Sequence, residues 1–159
     1  MRAMLVSFAS YDLWLPWQLT AKHLAKHFLD FEPGIHYSQV QMQSGTTGIN
    51  TIRIYNPTKQ LTDHDPHGLF VRAYVPELAA VPDDYLAEQW TMPKQIQQKV
   101  GCIIGKNYPE PIIDHSTATK EARLRLGSVR RSTVARAEAN DILAKHGSRK
   151  QPRKSQARS

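Results

Sequence analysis

Side chains able to do chemistry are scattered along this chain, and most of their short spacings complete no familiar site. His23 and His27 stand four apart on one face of a predicted helix, the spacing of two metal ligands. The segment HLAKH carries no general-base glutamate and no third ligand is evident, so a solvated face shared with Lys22 and Lys26 is the simpler reading. Gly45 and Gly48 flank Thr46 and Thr47 but lack the lysine and spacing of a phosphate loop. Asp114-His115 has only the adjacent Ser116 as a serine partner. Arg2 and Asp30 have opposite charge and can pair to tie two helices together. Cys102 is the only cysteine, which excludes an intrachain disulfide, a cysteine-ligated zinc and an iron-sulfur cluster, and makes a reducing cytoplasm the expected compartment.

A different kind of signal lies in residues 34–90. Asn56-Pro57, Asp65-Pro66, Val75-Pro76 and Val81-Pro82 hold the preceding residues out of helical geometry. Among them stand Arg53, Tyr55, Gln60, Arg72 and Trp90, a layout for a shaped polar surface.

The elements that must position these residues read as helices. With 159 residues and 40% hydrophobic content, one core is within reach, and no apolar run approaches the roughly 20 residues of a membrane span. Residues 1–14 predict a helix that is apolar nearly all round, with no small-residue cleavage site of a signal peptide. Beyond Pro16, Thr20 is placed to cap a second helix running to about Asp30, with Pro33-Gly34 as its stop. Residues 39–50 predict loop or short irregular helix, and 51–55 a brief strand. Residues 65–90 predict short helical turns with Phe70, Val71, Tyr74 and Leu78 inward. Further helices are expected over 91–99, 117–126 and 132–145, the last with Val134, Ile142 and Leu143 at helical spacing. The class is all-α with long structured loops.

Charge is concentrated at one end. The net +7 divides into twelve Lys/Arg against three acids from Thr119 onward, +9, and −2 for the rest. Residues 147–159, GSRKQPRKSQARS, predict a disordered basic tail, either solubilising or an electrostatic aid to nucleic-acid approach.

Several blocks in order resemble the C-terminal part of the photolyase/cryptochrome family: RAMLVSFASYDLW with Trp17 behind it, LDFEPG, TGINTIRIYNPTKQ, DPHGLFVRAYVPEL, VPDDYLAEQW and YPEPIIDH. The resemblance implies that residues 1–146 form part of a helical FAD-binding domain, and that an N-terminal half is missing. It implies FAD as cofactor and DNA containing pyrimidine dimers as partner, with light-driven electron transfer from reduced FAD as the parent activity. Residue by residue, Arg2, Asp30, Glu32 and His36 match positions around the flavin, His36 where the family often has Asn or Asp facing a reactive flavin nitrogen. Trp17 matches an electron-relaying tryptophan, Met42 the wall of the lesion pocket and Arg53 a DNA-contacting position. The departures are Val40 and Met42 where tryptophans are expected, and Ala3 where six-four photolyases carry a catalytic histidine. Trp14 and Tyr37 remain as substitute electron routes. Blue-light sensing without repair and an inactive DNA-binding fragment are the alternative functions.

Overall fold

The computed structural model describes residues 2–146, so Met1 and the tail expected over 147–159 lie outside the described residues. Nine α-helices follow one another among the described residues: α1 Arg2–Ser7, α2 Trp17–Ala25, α3 Pro33–Gln43, α4 Pro57–His64, α5 Leu69–Tyr74, α6 Asp83–Leu86, α7 Lys94–Val100, α8 His115–Arg131 and α9 Thr133–His146. The expected all-helical class holds. No described helix is long and apolar enough to cross a membrane.

Two apolar clusters organise the chain. Val6 of α1, Ala21 of α2 and Val40 of α3 form the first, with Trp17 and Leu24 packed against it. Ala21 is fully buried there, because a methyl group is what lets three helices approach this closely. The second gathers Leu78, Val81, Leu86, Met92 and Cys102 from the proline-punctuated segment, flanked by Leu61, Val71, Ile96 and Tyr108. Burial pushes the Cys102 thiol pKa up, as expected of an inert core cysteine.

Several sequence expectations are corrected. The helix expected over 1–14 gives way after Ser7 to a π-helical turn, Phe8–Asp12, which holds Ser10, Tyr11 and Asp12 buried. Asp12 is drawn to His115 at the start of α8, and the extra residue per turn of a π-helix re-aims its side chain. Thr20 caps nothing; it is buried inside α2, which starts at Trp17 behind Pro16 and ends at Ala25. Pro33-Gly34 starts a helix instead of stopping one. Glu32 is the N-cap of α3, its carboxylate accepting from the Ile35 amide at 2.6 Å, and Pro33 occupies the first turn, where a missing N–H costs nothing. That helix takes up residues 39–43, expected as loop or short irregular helix.

The strand expected over 51–55 has no ladder. Two of its backbone groups are bonded by side chains: the Tyr55 amide donates to Ser7 Oγ at 2.9 Å, and Gln43 Nε2 donates to the Arg53 carbonyl at 2.7 Å. Leu78 is buried as expected, whereas Phe70 and Tyr74 are 50% and 72% exposed and stack on each other at 4.6 Å. On α9, Val134 and Leu143 also face solvent.

Gly68 shows how tightly the second cluster is closed. It has φ +65°, and a Cβ there would lie 2.0 Å from Leu86 Cδ2. Gly68→Ala is expected to lower stability by about 1–3 kcal/mol from backbone strain alone, measured as a drop in urea midpoint; an unchanged midpoint would contradict this packing.

Candidate flavin cleft

The α1–α2–α3 cluster carries a cleft of about 440 Å³ on its outer side. Arg2, Asp30, Glu32, His36, Met42 and Arg53, expected from sequence at one site, all line it. Three separate stretches of chain supply them, so this convergence is tertiary. Trp17 is not on its wall; it packs behind, against Val6, Ala21 and Val40.

Arg2 Nη2 donates to Asp30 Oδ1 at 2.5 Å, and its guanidinium lies 4.5 Å from the centre of the Phe28 ring. The two contacts fix a planar cation at the cleft rim. The Arg2 hydrogen bond holds the Asp30 carboxyl below its usual value. Glu32 has one carboxylate oxygen committed to capping α3.

His36 is the most constrained member, only 8% exposed. Its Nε2 lies 2.8 Å from the Ala21 carbonyl, which can only accept, so that nitrogen carries a hydrogen. Phe28, Phe31 and Tyr37 meet the imidazole edge-on at 5.6, 5.2 and 5.3 Å. Met42 is half-buried and Arg53 exposed at the opposite wall, where Arg53 also borders a smaller cleft with Asn50 and Thr51.

Phe31, Gln39 and Gln43 also line the cleft and were not among the residues singled out from sequence, whereas Tyr55, read there as part of a polar surface, does line it. The spacing of Gln39 and Gln43, one helical turn apart, was a readable signal once residues 39–43 were assigned to a helix. The His23 and His27 rings are exposed and 4.7 Å apart, and no group of three metal-ligating side chains exists among the described residues.

A family described as the FAD-binding domain of DNA photolyase matches residues 1–128. This chain belongs to that photolyase/cryptochrome family. It is 35% identical over 124 residues to a deoxyribodipyrimidine photo-lyase of Alkalihalophilus pseudofirmus, covering 77% of this chain and 26% of the relative. It is 45% identical over 75 residues to a (6-4)DNA photolyase of Oryza sativa, covering 47% of this chain and 14% of the relative. Among solved structures, a bacterial class III photolyase from Agrobacterium tumefaciens superposes with TM-score 0.69 at 28% identity, over 88% of this chain and 27% of that one. A Synechocystis cryptochrome shares the fold with TM-score 0.73 at 24% identity, over 77% and 26%. The chain thus spans about a quarter, or less, of the relatives it matches. The family indicates FAD as cofactor.

The cleft's donor set fits that group. Its volume lies within the ordinary range for ligand pockets, its walls mix aromatic rings with amides, and its one fixed cation suits a ring that gains negative charge on reduction. Held there, FAD would supply one-electron redox chemistry. Arg2, Phe31 and His36 are among the residues that would face it.

Across the fold, Asp12 has the opposite electrostatic setting to Asp30. Its side chain is fully buried, with Oδ1 bound to His115 and Oδ2 without a partner among the described residues. Burial raises its pKa above 3.8, only partly opposed by His115. A raised folded-state value means the folded chain holds this proton longer than the unfolded one, so stability from Asp12 falls as pH climbs from 3.8 through the raised value. Asp30 runs the other way, its contribution present above 3.8 and lost as pH falls through the depressed value. Asp12→Asn is therefore expected to gain on the wild type as pH rises from about 4 to about 6, read from urea midpoints. A constant difference across that range would show that Asp12 does not titrate as its burial requires.

Proposed function

We propose that this chain is the flavin-framing segment of a protein that repairs pyrimidine dimers in DNA by light-driven electron transfer from reduced FAD. The observation that carries the reading is the convergence of Arg2, Asp30, Glu32, His36, Met42 and Arg53 on one cleft in a chain of the FAD-binding family. Residues 1–146 serve as the C-terminal part of the flavin domain, and an N-terminal portion of the same flavoprotein is its first partner. The printed names of its relatives, photo-lyase and (6-4)DNA photolyase, support DNA as the second.

In this reading Arg2 stabilises negative charge on the reduced ring and Asp30 keeps the guanidinium oriented. Glu32 fixes the first turn of α3, and so the direction in which His36 is presented. Trp17 relays electrons from behind the cleft, Met42 forms the apolar wall against an extruded base, and Arg53 grips backbone phosphate without reading sequence. Ala3, a cleft residue with no proton to give, supports cyclobutane-type chemistry over six-four chemistry. A purely light-sensing role and an inactive DNA-binding fragment are the outcomes that the same assay distinguishes.

The test is reconstitution of the full chain with FAD, followed by illumination with dimer-containing DNA. Retained flavin absorbance and restored intact pyrimidines are expected. Retained flavin without repair would leave a photoreceptor, and no retained flavin would sink the cofactor role of this chain acting alone. Arg2→Ala should weaken flavin retention by about 1.5–3 kcal/mol, the scale of a charge-assisted hydrogen bond. Arg2→Lys should recover only part, since it keeps the charge and loses the planar fork.

A further inference from the structure

The cleft has two aromatic neighbourhoods, and they differ in how they connect it to solvent. On the α2 side, Trp17 is separated from the cleft by Val6 and Val40, saturated side chains that fill the cluster between them. On the α3 side the wall itself is aromatic. Phe31 and His36 line the cleft, and the Tyr37 ring meets them edge-on at 6.1 and 5.3 Å, with interplanar angles of 90° and 82°. Tyr37 is 38% exposed. An unbroken ring-to-ring path therefore runs from cleft to water.

Trp14 is the other exposed aromatic near Trp17, both bordering a separate cleft. Its indole lies 5.1 Å from the Arg125 guanidinium, and its backbone has φ 53°. A cation over the ring favours the neutral indole. Removing an electron would set a positive hole beside this guanidinium, whose charge the paired Glu121 carboxylate only partly offsets, so Trp14 is the less favoured donor. Tyr37 escapes that penalty, because an oxidised phenol sheds its proton and becomes a neutral radical, and the ring's exposure gives that proton a direct route to water.

We propose that Tyr37 is the principal surface electron donor to the flavin of this cleft, delivering through Phe31 and His36, an inference that rests on the flavin reading above. The Tyr37 phenol would give one electron to light-excited oxidised flavin held in the cleft, its O–H proton passing to solvent. A thiol reductant then returns a hydrogen atom to the phenoxyl oxygen, and two thiyl radicals couple to a disulfide, which closes the balance. The hydrogen on His36 Nε2 is engaged with the Ala21 carbonyl, so the proton leaves through water and not through that nitrogen. Trp17 remains the slower route, behind its aliphatic screen.

The test uses the full chain loaded with oxidised FAD, illuminated with blue light in the presence of a thiol. Loss of oxidised-flavin absorbance is followed together with the radical signal in electron paramagnetic resonance. Tyr37→Phe is expected to slow bleaching several-fold and to remove a tyrosyl signal, with flavin retention unchanged. Phe31→Leu should slow bleaching while leaving Tyr37 in place, and Trp17→Phe should slow it less than Tyr37→Phe does. Bleaching of Tyr37→Phe at the wild-type rate, a radical carried by tryptophan alone, or no bleaching of retained flavin would each overturn this inference and leave the cofactor reading standing. Failure to retain any flavin would overturn both.

Discussion

The hydrogen bond from His36 Nε2 to the Ala21 carbonyl is the fixed point of the cleft. It crosses from α3 to α2 at the place where Ala21 is most deeply buried, beside the Val6 and Val40 contacts that join α1 to both. The Ala21 carbonyl lies inside α2, where the Ala25 amide is its helical partner. His36 adds a second donor to the same oxygen. The same bond selects the tautomer of the imidazole, turns its faces toward Phe28, Phe31 and Tyr37, and sets the depth of the cleft wall. Loss of it would leave the buried imidazole nitrogen without this partner.

From that point the rest of the site follows by capping and pairing. Glu32 closes the amino end of α3, so its carboxylate is a structural anchor before it is anything else. Asp30, immediately upstream, is then carried to the rim, where Arg2 from α1 meets it in the open. Both side chains of that pair are mostly exposed, so in the described residues the pair adds little to stability. Its value lies in orienting a cation that has other N–H groups free to turn toward a ligand.

The sequence was most informative where a motif fixes chemistry locally and least where a distant partner decides. Asn56-Pro57 was read as extended backbone leading into a proline, and Asn56 does cap α4, accepting from the Lys59 amide. Pro33-Gly34 was misread because a proline after a helical run can close one helix or open the next. The deciding contact, Glu32 to the Ile35 amide, depends on a rotamer that spacing does not reveal. Phe70 and Tyr74 have correct helical spacing, but the apolar face of a six-residue helix is chosen by what packs on it, and Val71 won that position. The π-turn carries no local signal, and the partner of its buried Asp12, His115, stands 103 residues away. Site residues emerged through the ordered motifs of a family, and their meeting in one cleft is a tertiary fact that no local period contains.

Val40 illustrates why the framing of the cleft and the supply of electrons to it can diverge. As a residue of the first cluster it must be apolar and small enough for α1, α2 and α3 to close on Ala21, and valine meets that demand at 4% exposure. A saturated side chain serves packing well and electron passage badly. The constraint that holds the helices together is therefore indifferent to the one that would connect Trp17 to the cleft, and a side chain at this position can satisfy the first without serving the second. The opposite wall is built from Phe31 and His36, whose packing and conduction coincide, because edge-on rings fill space and remain in contact through their π-systems. A chain can thus keep the frame that binds a flavin while moving its electron supply from one helix face to another.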